Sequence, residues 1–180
     1  MKLYIFRHGE TDGNVKRICQ DGSWPLNENG LKQAEELRDI LAGEKLPVVY
    51  ASPFIRAHKT GEIVASASGA KVFTVDGLRE FYFGDAENLH EDEVCKKYGY
   101  EFSSVCNVPD RNGFEVKMPN GESRREALER FKEALDFIRQ DCCRDKAGVA
   151  THGHVMRIFY YDFFKEDRLF KNCEYFVLDI

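Results

Sequence analysis

Arg7 and His8 stand together at the end of the first apolar run of the chain, followed by Gly9, Glu10 and Thr11. Arg56 follows Ser52-Pro53 after a second run, Glu80 closes Leu78-Arg79-Glu80 after a third, and His152-Gly153 ends a fourth. An arginine is always charged, and its planar fork of donors matches phosphate oxygens. Two arginines flanking one imidazole make a site for a multiply charged anion. They also lower the imidazole pKa, because one cation disfavours another. A neutral imidazole is a competent nucleophile near pH 7. Its other ring nitrogen must be held by a hydrogen bond, and Gly9 lets the backbone turn tightly enough for its own or a neighbouring carbonyl to accept it. Phosphoryl transfer asks for in-line positioning and for charge stabilisation on the phosphoryl oxygens, which Arg7, Arg56 and a protonated His152 would supply. A leaving alkoxide also needs a proton. Glu80 is the best-placed carboxyl, and burial beside a dianionic phosphate is expected to raise its pKa toward neutrality. Asp85 and Glu87 are the alternative carboxyls for that task.

These residues converge only if the elements that carry them are neighbours. Lys2–Phe6, Pro47–Ala51, Lys71–Val75, Ala147–Thr151 and Glu174–Leu178 read as strands, the last at an edge. Leu31, Ala34, Leu37 and Leu41 recur at helical spacing. Ser52-Pro53 reads as the cap and first residue of a helix running to about Ser66. Ser123 with Glu126 forms a capping-box pattern before a helix whose Leu128, Phe131, Leu135 and Ile138 share a face. Val155–Phe164 reads as another helix. Strand-then-helix alternation predicts a three-layer α/β/α sandwich with a mostly parallel sheet, and ligand sites in such sheets form beyond the carboxyl ends of the strands. Residues 81–121 are less regular. They read as a small lid excursion with a short helix near Glu91–Tyr98.

Bulk properties narrow the alternatives. The chain has 180 residues, 43% apolar and 32% charged, which predicts one folded domain over 1–180. The net charge of −5 and the absence of a basic block argue against a nucleic-acid partner. No apolar stretch is long enough for a membrane span, and the N-terminal run is too short for a signal peptide. The six cysteines read as free thiols in a reducing cytoplasm. His152-Gly153-His154 raises a zinc reading, but two nearby arginines repel a cation. A metal is therefore not expected. His58 and His90 read as surface residues. Phe81, Tyr82, Phe83, Tyr98, Tyr100, Phe102 and Phe114 either pack the lid on the core or grip an apolar substrate moiety.

The motifs, taken together, resemble the histidine phosphatase superfamily in its phosphoglycerate-mutase-like branch. Arg7-His8-Gly9-Glu10-Thr11 with Asn14 resembles its signature, and Pro25-Leu26, Gly30 and Gln33-Ala34 the segment after it. Ser52-Pro53, Arg56-Ala57 and Thr60 resemble its second motif, and Leu78-Arg79-Glu80 the acid-bearing one. Gly121-Glu122-Ser123 and Thr151-His152-Gly153-His154 resemble the last two. The resemblance implies a phosphohistidine on His8, proton donation by Glu80, and a phosphate pocket of Arg7, Arg56 and His152 with Asn14 as a polar contact. Thr11 and Gly153 join them as candidate substrate contacts. It also implies no metal or organic cofactor, a small phosphorylated metabolite as partner, and hydrolysis or, alternatively, a phosphoglycerate-type mutase reaction. A non-catalytic binder of phospho-ligands is the third alternative. The sequence departs from the family where Gly84-Asp85-Ala86-Glu87-Asn88 stands in place of Gly-x-Trp-Glu-Gly. The short lid favours hydrolysis, because a mutase must exclude water while its intermediate reorients. A homodimer through the edge strand is a further expectation.

Overall fold

Side-chain alternation along the first strand divides the interior into two cores. The computed structural model describes residues 1–99 and 114–180. In β1 (Lys2–Arg7), Leu3 and Ile5 face one layer while Tyr4 and Phe6 face the other. The first layer contains α5 (Arg124–Asp141) and α6 (Gly153–Phe164), which contribute Phe131, Leu135, Ile138, Val155, Ile158 and Phe159. The second contains α2 (Glu28–Leu41) and α3 (Ile55–Ser66), which contribute Leu37, Leu41, Val64 and Ala65. Two helical layers around one sheet give the α/β/α sandwich.

The sheet order is β3-β2-β4-β1-β5, with β2 at Val48–Ala51, β3 at Lys71–Thr74, β4 at Lys146–Thr151 and β5 at Tyr175–Asp179. The first four strands are parallel, and β5 runs antiparallel to β1 at the edge. The insertion of β4 between β1 and β2 matters most for function. Arg7 is in register with Thr151, and Ala51 with Ala150. The turns that begin at His8, Ser52 and His152 therefore leave the same edge of the sheet side by side.

Local chemistry explains most boundaries. Asn27 caps α2 by accepting from the Gly30 N–H at 2.8 Å. Ser123 and Glu126 form the expected reciprocal box, at 2.7 and 3.2 Å, ahead of α5. A cap of this kind stabilises a helix by about 1 kcal/mol. The lid helix α4 (Glu91–Tyr98) falls where expected, and His90, read as a surface residue, caps it through its ring nitrogen. Two helix starts differ from expectation, and one of them is α6, which begins at Gly153 rather than Val155. The helix α3 begins at Ile55, not at Pro53, and its N-cap is Phe54. Ser52 does not cap it, because its hydroxyl accepts from the Phe54 N–H at 3.2 Å and contacts His152 at 2.8 Å. No helix among the described residues is long and apolar enough to cross a membrane.

Candidate active site

The turn after β1 is held in place before any ligand enters. The His8 N–H bonds the Thr151 carbonyl at 3.0 Å, and the Gly9 N–H bonds the Thr60 hydroxyl at 3.1 Å. Gly9 and Gly30 sit backbone against backbone, and a Cβ on Gly9 would lie 2.3 Å from the Gly30 carbonyl oxygen. Glu10 is pinned to the start of α2: its N–H donates to Gln33 at 2.8 Å, and its carboxylate accepts from Asn27 and Asn29 at 3.1 Å each. Thr11 caps the short helix α1 (Asp12–Val15) in a capping box with Asn14.

This frame fixes the His8 imidazole. Its Nδ1 lies 2.6 Å from the Gly9 carbonyl oxygen, which can only accept, so the proton resides on Nδ1. Its Nε2 therefore carries the lone pair, and the Arg56 Nε–H donates to it at 3.2 Å. Burial, then Arg56, then Arg7 hold the His8 pKa well below the usual imidazole range. The ring is neutral with the reactive nitrogen inward.

Arg56 is 1% exposed, and its Nη1 donates to the Asp21 carbonyl at 2.6 Å. Burial lowers its pKa to about 10, still well above neutrality. Arg7 donates from Nη1 to the Phe170 carbonyl at 2.7 Å. His152 is fully buried, with its ring 5.2 Å from that of His8. Burial, then Arg56, push its pKa well below the usual range, so it is neutral where a protonated ring was expected. Ser52 accepts from Phe54 and its hydroxyl is free to donate to His152 Nε2, the tautomer that places the proton of His152 on Nδ1. Arg7 Nε and His152 Nδ1 are buried and have no partner among the described residues. Each such orphan donor costs about 1–3 kcal/mol, a cost that an anion accepting from both would remove.

Glu80 departs from expectation in its charge. Its Oε1 accepts from the Phe81 and Val155 N–H groups at 2.9 and 3.1 Å, and its Oε2 from the His154 N–H at 3.3 Å. It thus sits on the N-terminus of α6, where backbone donors and the helix dipole favour an anion. Burial pushes its pKa up, but hydrogen bonding and charge from His154 and the Phe81 N–H outweigh burial. Glu80 is therefore ionised in the site without substrate. Glu87, its rival in the sequence reading, has a pKa raised to about 7 by burial and then by Asp21, against the pull of Arg56. Glu87 does not line the pocket and Glu80 does.

The pocket is about 680 Å³ and is lined by Arg7, His8, Asn14, Arg56 and Glu80, with Arg17, Ile18, Phe83 and His154 farther out. That volume suits a small ligand. Thr11, Gly153 and the fully buried His152, all expected substrate contacts, are not among the residues that line the pocket. Thr11 is fully buried and spends its hydroxyl on Gln20 at 2.7 Å. Gly153 makes room for Arg7, since a Cβ there would lie 3.0 Å from Arg7 Nε. The rings of His152 and His154 serve different partners: His152 meets Ser52, while His154 lies 3.7 Å from Glu80 and edge-on to Phe83. Of the aromatics, Phe83 reaches the pocket and Phe81 joins the core, while Tyr100 and Phe102 fall outside the described residues. In the departed motif, Ala86 is buried and Asn88 adopts φ 63°, bonding Asp21 and Trp24 at 2.7 Å each.

Sequence reasoning missed Asn172, whose Nδ2 donates to the His8 carbonyl and to Asn14 Oδ1 at 3.1 Å each. The signal was the direction of β5. An antiparallel last strand enters from the site end and carries residues 170–173 there.

Two buried neutral histidines make stability depend on pH. Their folded pKa values lie below the unfolded value of about 6.5, so the unfolded chain binds more protons, and stability present above that pH is lost as pH falls. The thermal midpoint should drop between pH 7 and pH 5. His152→Gln, less stable at neutral pH, should lose less over the same interval. An equal acid loss in both proteins would contradict the neutral assignment of His152.

Fold and site together define an α/β enzyme that handles phosphoric monoesters. The chain belongs to the histidine phosphatase superfamily, branch 1, whose family model matches residues 3–175. It is 30% identical over 161 residues to phosphoserine phosphatase 1 of Hydrogenobacter thermophilus, covering 89% of this chain and 74% of that protein. It is 28% identical over 170 residues to a phosphoglycerate mutase of Schizosaccharomyces pombe, covering 89% and 78%. The solved structure of Bacillus stearothermophilus YhfR superposes with a TM-score of 0.86 at 26% identity, covering 99% of this chain and 91% of that one.

Proposed function

We propose that the chain hydrolyses a small phosphorylated metabolite through a phosphohistidine on His8. The observation that carries this reading is the His8 imidazole itself, neutral, protonated on Nδ1 by its bond to Gly9, with Nε2 beside Arg56. His8 Nε2 attacks phosphorus while the ester P–O bond breaks. Arg7, Arg56 and the Nδ1–H of His152 take up the charge on the phosphoryl oxygens. The leaving oxygen takes a proton from Glu80. Glu80, again a carboxylate, then removes a proton from water as the water oxygen attacks phosphorus. The N–P bond breaks, and inorganic phosphate leaves.

Because Glu80 is ionised in the free site, the proton it donates is taken up from solvent as the substrate binds or is carried in by the substrate. A phosphate dianion at the Arg7 and Arg56 forks raises the carboxyl pKa, or the ester enters as its monoanion. The reactive complex holds the same number of protons either way. No step calls on a metal. The pocket volume supports a metabolite rather than a macromolecule as substrate. The reading of the protein as cytoplasmic goes with Cys95, Cys142, Cys143 and Cys173, which form no disulfide among the described residues, while Cys106 falls outside them.

The test is rapid quenching of the enzyme with a labelled phosphate ester in EDTA. The label should appear on His8 in acid-labile form and disappear as inorganic phosphate is released. Label on another residue would end the proposal. Transfer between positions of phosphoglycerate without release would establish the mutase reaction in its place.

A further inference from the structure

One ion pair outside the pocket brackets the segment that carries Glu80. Arg130 of α5 donates from Nη1 to the carbonyls of Gly77 and Arg79 at 2.8 and 3.1 Å, and from Nη2 to that of Glu80 at 3.4 Å. The same guanidinium meets Glu122 through Nε at 3.2 Å and Nη2 at 2.5 Å. Glu122 continues to the far side of the acid: its carboxylate accepts from the Tyr82 N–H at 2.8 Å, and its own N–H donates to the Tyr82 carbonyl at 3.0 Å. Residues 77, 79, 80 and 82 are thus fastened to one pair, and both side chains are largely buried, at 14% and 13% exposure.

The surrounding backbone leaves little slack. A Cβ on Gly77 would lie 2.8 Å from Ala134 Cβ, and one on Gly121 would lie 2.8 Å from the Tyr82 carbonyl oxygen. Neither Arg130 nor Glu122 lines the pocket. A buried ion pair is weak evidence of stabilisation, since desolvation offsets much of the attraction. Its geometry is better evidence. Three carbonyls and a carboxylate converge on one planar fork, which a lysine ammonium cannot reproduce.

We infer that Arg130 and Glu122 are positioning residues for the proton-transfer step, setting the reach of the Glu80 carboxyl toward the ester oxygen. This inference rests on the reading of Glu80 as the acid. Glu80 is held at two points: its carboxylate at the N-terminus of α6, and its backbone by α5 through Arg130. Loosening the second lets the carboxyl shift relative to the phosphate, and a misplacement of about 1 Å can cost on the order of 100-fold in rate.

The experiment compares an alkyl phosphate, whose leaving group needs a proton, with an aryl phosphate, whose leaving group needs little. Arg130→Lys keeps the charge. Its kcat on the alkyl ester should fall roughly 30-fold or more, with the aryl value within about 3-fold. Glu122→Gln, nearly isosteric, should show the same split more weakly, which covers the case in which the lysine variant fails to fold. Combining Arg130→Lys with Glu80→Gln should cost no more than Glu80→Gln alone, because both act on one step. Equal losses on the two esters, or losses that multiply in the double variant, would overturn the inference. A split in Glu80→Gln without one in Arg130→Lys or Glu122→Gln would remove the pair alone. No split in Glu80→Gln would remove the acid assignment and the role of the pair with it.

Discussion

Replacing His8 with alanine should lower kcat for every phosphate ester by at least about 10⁴-fold, the scale on which enzymes lose activity when a nucleophile is deleted. Affinity for inorganic phosphate should survive and even increase. In the intact site the Arg56 Nε–H is engaged by His8 Nε2 at 3.2 Å. Without the imidazole that N–H is free for a phosphate oxygen, and Arg7 Nε and His152 Nδ1, which have no partner among the described residues, remain. Calorimetric titration with phosphate, beside a turnover assay, measures both effects. Residual activity within tenfold of the parent would show that His8 is not the nucleophile. Loss of phosphate binding would show that the imidazole, rather than the arginines, organises the anion site.

The second large effect concerns Glu80. Glu80→Gln should reduce kcat on alkyl phosphates by about 10²–10⁴-fold, the usual contribution of general acid catalysis, and on aryl phosphates by less than about 10-fold. The pH dependence supplies an independent check. Reaction of the parent needs one proton more than the free enzyme and the dianionic ester carry, since Glu80 is held well below its usual range. Its kcat/KM on an alkyl ester should therefore fall as pH rises above the second phosphate pKa of about 6. His8 imposes no loss until pH is well below 6.5, because its own pKa is depressed. In Glu80→Gln the alkaline decline should flatten, as the residue that receives the proton is gone. An unchanged decline would assign it to another group, and Glu87, with its pKa near 7, would be the first to examine.

The parts of this site that were legible in the sequence are those tied to strand ends. Arg7, His8, Glu80 and His152 follow apolar runs whose length and composition mark strands, so their convergence needed only the parallel topology. Arg56 was legible from its place after β2, although its helix starts at Ile55, later than Pro53 suggests. The neutral state of His8 was legible from its flanking arginines, but the charge states of Glu80 and His152 were not. Glu80 was expected to be raised by a phosphate, yet its seat on the N-terminus of α6 depends on a contact between residues 80 and 155 that spacing does not reveal. The neutral ring of His152 likewise depends on complete burial. Arg130 carried no signal in the sequence, and Glu122 stood only within the motif Gly121-Glu122-Ser123, until the carbonyls of residues 77–80 are set against them.

The reversed direction of β5 has a consequence for biosynthesis. The Phe170 carbonyl fixes Arg7, and Asn172 together with the Cys173 N–H holds the His8 carbonyl. A nascent chain that has emerged only as far as α6 already displays the histidines, the arginines and the acid, yet lacks the groups that lock the first strand's turn. Contacts across more than 160 residues of chain form late, since loop closure must come first. The turn that carries His8 is thus completed only when β5 docks beside β1.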